Sequence, residues 1–231
     1  MAARYLNAPS FVIQLASGAS HSVIMGAHRD SAHAAVTGTP AAWWTTTPLS
    51  TPAIDPKLAQ YLTSYPDAPE VVEDGATFAD NARKKAVELA RHLGQWVLGE
   101  DSGLVVPALN GRPGVYSARY AGKQGDDEAN NDRLLAELAP FPDDRRAAYY
   151  VCTATLSDPQ GEIHAVVEGR CHGVIIRERR GTGGFGYDPL FLIPEYHQTF
   201  GELSSRVKHA LSHRARALAQ LRPVLRKLLP G

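Results

Sequence analysis

Two adjacent carboxylates, Glu100 and Asp101, follow a short apolar run near the middle of the chain. The run Trp96 to Leu98 predicts a buried strand, and glycines at positions 99 and 103 allow the backbone to bend sharply around the acids. Burying unpaired carboxylates is costly, so we expect this strand end to open to solvent or to a cation. A hard cation such as Mg²⁺ favours one or two carboxylates together with phosphate oxygens. A solvated Asp-Ser-Gly turn is the alternative, because such turns are common.

A helix that precedes these acids is predicted to begin after the N-cap residue Thr77. Apolar residues recur at helical spacing from Phe78 to Leu93, and a glycine at position 94 is placed to end the helix. Asn81 and Lys85 lie four residues apart on one face, which is either a solvated polar face or part of a site. Glu73 falls in the loop that enters the helix, where an acid on its own is usually exposed.

A glycine-rich stretch with two aromatic residues lies further along the chain. Four glycines fall within the six residues from 181 to 186, so either the backbone bends repeatedly or another group approaches it closely. Phe185 and Tyr187 offer flat surfaces, and stacking of such a ring on a base contributes about 1–3 kcal/mol. An ordinary hairpin with both rings folded inward explains the same pattern.

Basic and small residues near the two ends of the chain are suited to phosphate. Lys208, His213 and Arg214 supply donors for a phosphate or a purine edge, although a basic solvated face would look the same. Near the start, the loop Ser17 to Ser20 follows a predicted strand. Its backbone N–H groups could cradle phosphate, and a plain turn is the alternative.

The remaining pattern alternates between strands and helices and therefore predicts an α/β fold. A helix with three inward leucines is expected to run from Asp126 or Asp127 to Leu138, and a closing helix capped by Ser204 should kink or restart at Pro223. The other predicted elements are a strand at 11–16, a short helix at 22–28, loops with an edge strand near Trp43 between 37 and 56, a hairpin of 148–156 with 163–167, and a strand at 171–176.

Composition excludes several classes of protein. The 231 residues carry 24 basic and 24 acidic side chains, so no overall field favours long nucleic acid or an acidic membrane. Two cysteines, Cys152 and Cys171, are too few for a disulfide framework, so we expect core positions and a reducing cytosol. We expect no signal peptide. The sequence contains no run of 18 apolar residues, so we also expect no membrane span.

Several of these segments together resemble the inosine triphosphate pyrophosphatase family, whose members hydrolyse non-canonical purine nucleoside triphosphates. The resemblance runs from about residue 70 to 221, and it makes the whole chain, 1–231, one pyrophosphatase domain with a divergent part at 1–56. The segments that carry it are Glu73–Ala82, Asp101–Leu104, Gly111–Gly122, Gly181–Phe191, Thr199–Leu203, Lys208 and Ser212–Arg214.

The resemblance implies a fold, an activity and a site. The fold would be an elongated two-lobed α/β domain around a central mixed sheet, usually a homodimer. The activity would be Mg²⁺-dependent hydrolysis of ITP, dITP or XTP to the monophosphate and pyrophosphate. Glu73 and Asp101 would hold the metal, and Asp101 would help to activate water. The substrate-binding residues would be Ser17, Gly18, Ser102, Phe185, Gly186, Tyr187, Asp188, Lys208, His213 and Arg214, and Lys208 would also stabilise the developing charge.

Two departures from the family pattern bear on this reading. Ala19 and Ser22 occupy positions where family members carry an Asn and a Lys that help to hold the triphosphate, and Glu100 replaces a usual Asp. The missing pair motivates an alternative: a nucleotide-binding protein of the same fold with weak or lost turnover.

Overall fold

The structure is a computed structural model that describes the backbone of residues 10–13, 15–17, 19–21, 23–25 and 59–61, and the backbone and side chains of 65 and 68–228. The strands are β1 (Ser10–Ile13), β2 (Leu15–Ser17), β3 (Ala19–His21), β4 (Val23–Met25), β5 (Ala59–Tyr61), β6 (Val97–Val105), β7 (Ala147–Ser157), β8 (Ile163–Ile175), β9 (Phe191–Ile193) and β10 (Gln198–Thr199). The α-helices are α1 (Phe78–Leu93), α2 (Asp127–Leu138), α3 (Ser205–Leu211) and α4 (His213–Leu228).

Eight of the strands in the described part of the chain form one mixed sheet, in the order β10-β9-β8-β7-β6-β1-β5-β4. The pair β4 and β5 is parallel, with Ile24 opposite Gln60, whereas β1 is antiparallel to both β5 and β6. The remaining two strands, β2 and β3, pair as a separate antiparallel hairpin. The predicted α/β class with a central mixed sheet is therefore confirmed.

Contacts along the chain group it into two compact units. The first comprises Met1–Asp101, Thr153–Val167 and Leu218–Gly231, and the second comprises Ser102–Cys152 and Glu168–Ala217. Asp101 and Ser102 are consecutive residues of β6, so this strand belongs to both units.

Helix α1 dominates the described part of the first unit and follows the predicted pattern. The side chain of Thr77 accepts from the N–H of Asp80, and the carboxylate of Asp80 accepts from the N–H of Thr77, which is a capping box. The helix ends at Gly94, whose φ of 62° lies in the left-handed region that glycine adopts without strain. A small apolar cluster lies against it: Ala68, Val71, Leu89, Ala90 and Val97.

The second unit is built around an aromatic core. The ring of Phe191 lies 4.7 Å from that of Tyr150 and 5.1 Å from that of Phe200, measured between centroids. Helix α2 begins at the predicted cap Asp126 and buries Leu134 and Leu138 completely in the same core. Leu135 is only partly buried, although it too packs against the core. Cys152 and Cys171 are buried thiols, as predicted.

Several predicted elements differ from the structure. The strand predicted at 11–16 falls in two strands, β1 and β2, and the closing helix capped by Ser204 ends at Leu211 before α4 begins at His213. The chain does not bend at the acidic pair, because β6 continues through both glycines to Val105. The segment at 22–28 contains a strand, β4, rather than a helix. The strand predicted at 171–176 is the second half of β8, which runs unbroken from the hairpin. Helix α4 continues through Pro223 without restarting, since buried Leu221 and Leu225 hold the turns on both sides. The loop and edge strand predicted between 37 and 56 lie outside the described residues.

Candidate active site

Asp101 lies in the middle of β6 and is held by two side chains of α1. Lys85 Nζ lies 3.1 Å from Asp101 Oδ1, and Asn81 Nδ2 donates to Asp101 Oδ2 over 3.1 Å. Only 5% of Asp101 is exposed. Of the two expectations for this strand end, openness to solvent is therefore wrong, and openness to a cation stays a prediction. The carboxylate avoids the cost of unpaired burial because the ammonium group of Lys85 and the side-chain amide of Asn81 pair with it.

A glycine brings the helix and the strand close enough for these contacts. A Cβ atom added at Gly99 would lie 2.5 Å from the carbonyl oxygen of Ala82 and closer still to the N–H of Ala86. Only a residue without a side chain allows the backbones to approach in this way. Asn81 and Lys85 therefore reach Asp101 from the helix face that packs on the strand.

Lys85 also contacts the second predicted metal ligand. Its Nζ lies 3.4 Å from Glu73 Oε2, so one ammonium group serves two carboxylates. The loop that carries Glu73 is tied to the helix, because the N–H of Gly75 donates to Asn81 Oδ1 over 2.8 Å. Asn81 and Lys85 are 1% and 3% exposed. The solvated polar face, one of two interpretations of this pair, is therefore excluded.

The charges of this cluster fit a divalent cation. Two carboxylates around one ammonium leave a net negative charge in a largely buried place, and oxygen donors of this kind suit Mg²⁺. Two protein ligands leave positions for water and phosphate oxygens, which is the usual arrangement for this ion. The alternation of side chains along a strand directs Glu100 to the face opposite Asp101. The metal-binding role of Glu73 and Asp101 stays a prediction.

In the second unit, Ser102 meets the first turn of α4. Arg214 Nη2 donates to Ser102 Oγ over 3.4 Å. Helix α4 comes close to β8 at Gly169, where an added Cβ would overlap the backbone of His213 and Ala217. Arg214 is thereby fixed beside the residue that follows Asp101 in the chain.

The glycine-rich loop is organised by an ion pair between Asp188 and Lys208. Asp188 Oδ2 also accepts from the N–H of Phe185 over 2.8 Å, and Lys208 Nζ lies 4.4 Å from the centre of the Phe185 ring. Burial raises the pKa of Asp188, and the positive charge of Lys208 opposes that rise. The loop therefore presents a lysine and an aromatic ring side by side, over a buried carboxyl group.

Helix α2 fixes the same loop from its N-terminal turn. Asp127 Oδ2 accepts from the N–H of Gly186 over 2.6 Å, while Asn131 Nδ2 donates to the carbonyl of Gly186 over 2.8 Å. Sequence reasoning treated Asp127 only as a possible helix cap and did not consider Asn131. Their spacing of four residues on one helix face was the available signal.

The two aromatic residues of the loop have different environments. Phe185 is 38% exposed, whereas Tyr187 is 3% exposed and its hydroxyl donates to the carbonyl of Ser117 over 2.8 Å. The inward-folded interpretation thus describes Tyr187 but not Phe185. Only the ring of Phe185 is placed to offer a face to a ligand.

His213 is a buried, neutral histidine. Its ring stacks on Tyr150 at 5.0 Å and 15°, and only 7% of the residue is exposed. Burial, followed by the charges of Arg214 and Lys208, holds the pKa of His213 well below its usual value. Its Nδ1 has no hydrogen-bond partner among the described residues. The predicted phosphate or purine contact would therefore come from an uncharged ring.

The predicted phosphate loop is only partly described. Ser17 is the last residue of β2 and pairs with Ala19 of the antiparallel strand β3. Gly18 and Ser22 lie outside the described residues, and the role of this loop stays a prediction. No helix in the part of the chain that the structure describes is long and apolar enough to cross a membrane.

Comparisons with known proteins place the chain among similar sequences. A profile of the Ham1 family matches residues 50–224. A dITP/XTP pyrophosphatase from Rhodopirellula baltica is 60% identical over 168 residues, which cover 73% of this chain and 81% of the relative. A dITP/XTP pyrophosphatase from Desulforamulus reducens is 52% identical over 164 residues, 71% of this chain and 81% of the relative.

Solved structures give the same result. The Ham1 protein of Staphylococcus aureus superimposes with a TM-score of 0.68 at 39% identity, over 73% of this chain and 86% of that protein. A nucleoside-triphosphatase, or dITP/XTP pyrophosphatase, from Mycobacterium abscessus gives a TM-score of 0.62 at 50% identity, over 72% and 85%. The resemblance predicted from the motifs is confirmed, and the chain belongs to the Ham1 family.

Proposed function

We propose that this protein is a Mg²⁺-dependent pyrophosphatase that converts ITP, dITP or XTP to the monophosphate and pyrophosphate. The observation that carries the proposal is the largely buried cluster of Glu73, Lys85 and Asp101, which places two carboxylates around one ammonium group. Relatives named dITP/XTP pyrophosphatase support the choice of substrate. The chain is an enzyme of that hydrolase class, which acts on phosphoric anhydrides.

In this proposal Glu73 and Asp101 hold the metal ion and Asp101 also accepts a proton. Bound Mg²⁺ would offset charge on the phosphate chain and make a coordinated water more acidic. Asp101 accepts the proton of the attacking water, whose oxygen forms a bond to the α-phosphorus. The bond from that phosphorus to the bridging oxygen breaks, and pyrophosphate leaves. Lys85 holds both carboxylates in place before and after the proton moves.

The second unit supplies the groups for the base and for the developing charge. Phe185 offers a ring face for stacking, beside Gly186 to Asp188. Lys208 provides positive charge at that ring, and Arg214 provides positive charge beside Ser102. Donors directed at position 6 of the purine favour an oxo group, because an amino group there would leave them unpaired. The resemblance further implies a homodimer in the cytosol, and we include both in the proposal.

The direct test is pyrophosphate release from ITP, with ATP, GTP and dUTP in parallel, in Mg²⁺ and in excess chelator. We expect turnover that depends on Mg²⁺ and is fastest with ITP. Binding of ITP without turnover would instead support the alternative, a binding protein that lost activity with the residues replaced by Ala19 and Ser22.

Asp101→Asn is expected to abolish turnover and to leave the protein folded. The amide cannot accept the proton and binds a metal ion poorly, while Lys85 keeps Glu73 as its partner. The measurement is ITP hydrolysis together with the melting temperature. Glu88→Gln removes one exposed carboxylate from α1, the helix that carries Lys85, and serves as the matched control. Near-normal turnover in folded Asp101→Asn protein would remove Asp101 from the mechanism.

A further inference from the structure

The turn at residues 199–202 packs against the glycine-rich loop within the second unit. The carbonyl of Gly201 accepts from the N–H of Gly183 over 2.9 Å, and the N–H of Gly201 donates to the carbonyl of Asp188 over 3.0 Å. Those two loop residues lie on either side of Phe185 in the chain. One residue of the turn therefore holds both arms of the loop that carries the exposed ring.

The contact is close because glycines stand on both sides of it. A Cβ atom added at Gly181 would lie 2.2 Å from the carbonyl carbon of Gly201. A Cβ atom added at Gly201 would lie 2.9 Å from the carbonyl oxygen of Arg180 and 3.2 Å from Cα of Pro189. The loop and the turn thus pack backbone against backbone, and a shift of the turn is transmitted to the loop.

Thr199 and Glu202 attach the turn to Arg180, where the loop begins. Thr199 is fully buried, and its Oγ1 donates to the carbonyl of Arg180 over 2.7 Å. Glu202 Oε2 lies 2.9 Å from Arg180 Nη2 and accepts from the N–H of Thr199 over 2.8 Å. The far end of the loop closes on the same residue, because the N–H of Arg180 donates to the carbonyl of Pro189 over 2.9 Å.

We propose that Thr199 and Glu202 are positioning residues of the nucleotide site. Neither is among the residues expected to touch the nucleotide. They act through Arg180 and Gly201 on the loop that presents Phe185, and they order that loop before the substrate arrives, which lowers the entropic cost of binding. The inference rests on the proposed function, because that function places the purine base at this loop.

The first test compares two variants of Thr199 in the full-length protein. Thr199→Val removes the hydroxyl with little change of shape, whereas Thr199→Ser keeps it. We expect Thr199→Val to raise the KM for ITP about three- to tenfold with a smaller change in kcat, because the lost hydrogen bond supports binding in the ground and transition states alike. Thr199→Ser should keep the wild-type KM.

The second test removes the charge of Glu202. Glu202→Gln loses the ion pair with the guanidinium group of Arg180 and should raise KM about two- to fivefold, as is typical of a partly exposed pair. Glu195→Gln is the matched control. It removes an exposed carboxylate just before β10 that takes no part in these contacts, and it should leave KM unchanged.

Hydrogen exchange gives a further measurement that does not depend on turnover. The N–H groups of Gly183 and Phe185 are hydrogen-bonded in the ordered loop, so they should exchange faster when the turn no longer holds it. We expect faster exchange of residues 181–188 in Thr199→Val and in Glu202→Gln. Exchange in α1, which belongs to the other unit, should stay as in the wild-type protein.

The outcomes decide the inference separately from the proposed function. An unchanged KM in either folded variant would overturn it, whatever happens to the melting temperature, and so would an equal rise in Thr199→Val and Thr199→Ser. If Thr199→Val does not fold, Glu202→Gln decides by the same measurements. If the wild-type protein does not hydrolyse ITP, the proposed function fails and exchange alone decides: faster exchange of 181–188 supports the inference, and unchanged exchange overturns it.

Discussion

The resemblance to the family indicated the candidate site, but not how its members are paired. Asp101, Glu73 and Lys208 take their expected roles from segments that match the family, since Glu73 on its own favours an exposed loop acid and Lys208 a basic solvated face. Their burial and pairing depend on the distance between two backbones, which no single residue encodes. Lys85 is the clearest case: its spacing from Asn81 allowed two interpretations, and only the close packing at Gly99 decides between them.

At the same scale, Phe185→Ala should raise the KM for ITP about 5- to 150-fold and change kcat less. Lost stacking removes about 1–3 kcal/mol that is shared by the ground and transition states. Steady-state kinetics with ITP measure the effect. Tyr196→Ala, which removes a similarly exposed aromatic ring outside the loop, is the control and should leave KM unchanged. A collapse of stability with unchanged KM would make Phe185 a structural residue.

At the scale of elements, helices with strong caps were predictable and strand ends were not. The capping box of Thr77 and the left-handed Gly94 fix both ends of α1 by local chemistry. The course of β6 through Gly99 depends instead on a helix that packs against it. A glycine in a sequence permits a bend or a close approach, and only the fold shows which of the two is used.

Gly99→Ala tests this packing. The added Cβ would meet the backbone of Ala82 and Ala86, which cannot move aside as a side chain can. We expect a loss of about 1–3 kcal/mol or more in the free energy of unfolding, measured by urea denaturation.

Gly94→Ala is the comparison for that variant, because nothing lies within 4 Å of a Cβ at this position and only its positive φ is strained. Its cost should be about 1–2 kcal/mol. If Gly99→Ala proves as stable as the wild-type protein, α1 does not pack on β6 as closely as described.

The contact between α2 and the glycine-rich loop gives a second prediction at this scale. Asp127→Asn weakens the acceptor for the N–H of Gly186, so the loop that carries Phe185 loses a support. We expect a higher KM for ITP with a small change in melting temperature, measured on the same samples. Glu128→Gln, one residue further along and highly exposed, is the control. Equal KM values for the two variants would show that Asp127 does not position the loop.

For the whole molecule, the α/β class could be predicted because the periodic segments are long and well capped. The order of strands could not, because β1 and β5 pair across large separations in sequence and their short apolar runs carry no mark of their partners. The division into two units could not be predicted either. Strand β6 belongs to both units, and its sequence pattern does not change at the boundary between Asp101 and Ser102.

The stability of the whole protein should fall as the pH drops below about 6.5. The ordinary pKa of histidine is 6.5, and burial lowers the pKa of His213 well below it, with a smaller shift of the same sign at His209. Below pH 6.5 the unfolded chain takes up protons that the native protein does not. The contribution of uncharged His213 to the free energy of unfolding is therefore fully present above that pH. It is lost as the pH falls toward the pKa of His213 in the native protein.

His213→Gln isolates this contribution. The variant can no longer take up that proton when it unfolds, so its loss of stability below pH 6.5 should be shallower than that of the wild-type protein by about 1.4 kcal/mol per pH unit. Urea denaturation at half-unit steps from pH 7.5 to 5.5 measures both slopes. Asp188, whose pKa burial raises, titrates in both proteins, so the difference between the slopes reports His213 alone. The two plots of unfolding free energy against pH would be parallel if His213 were protonated as readily in the native protein as in the unfolded chain. That result would contradict the burial of its ring against Tyr150.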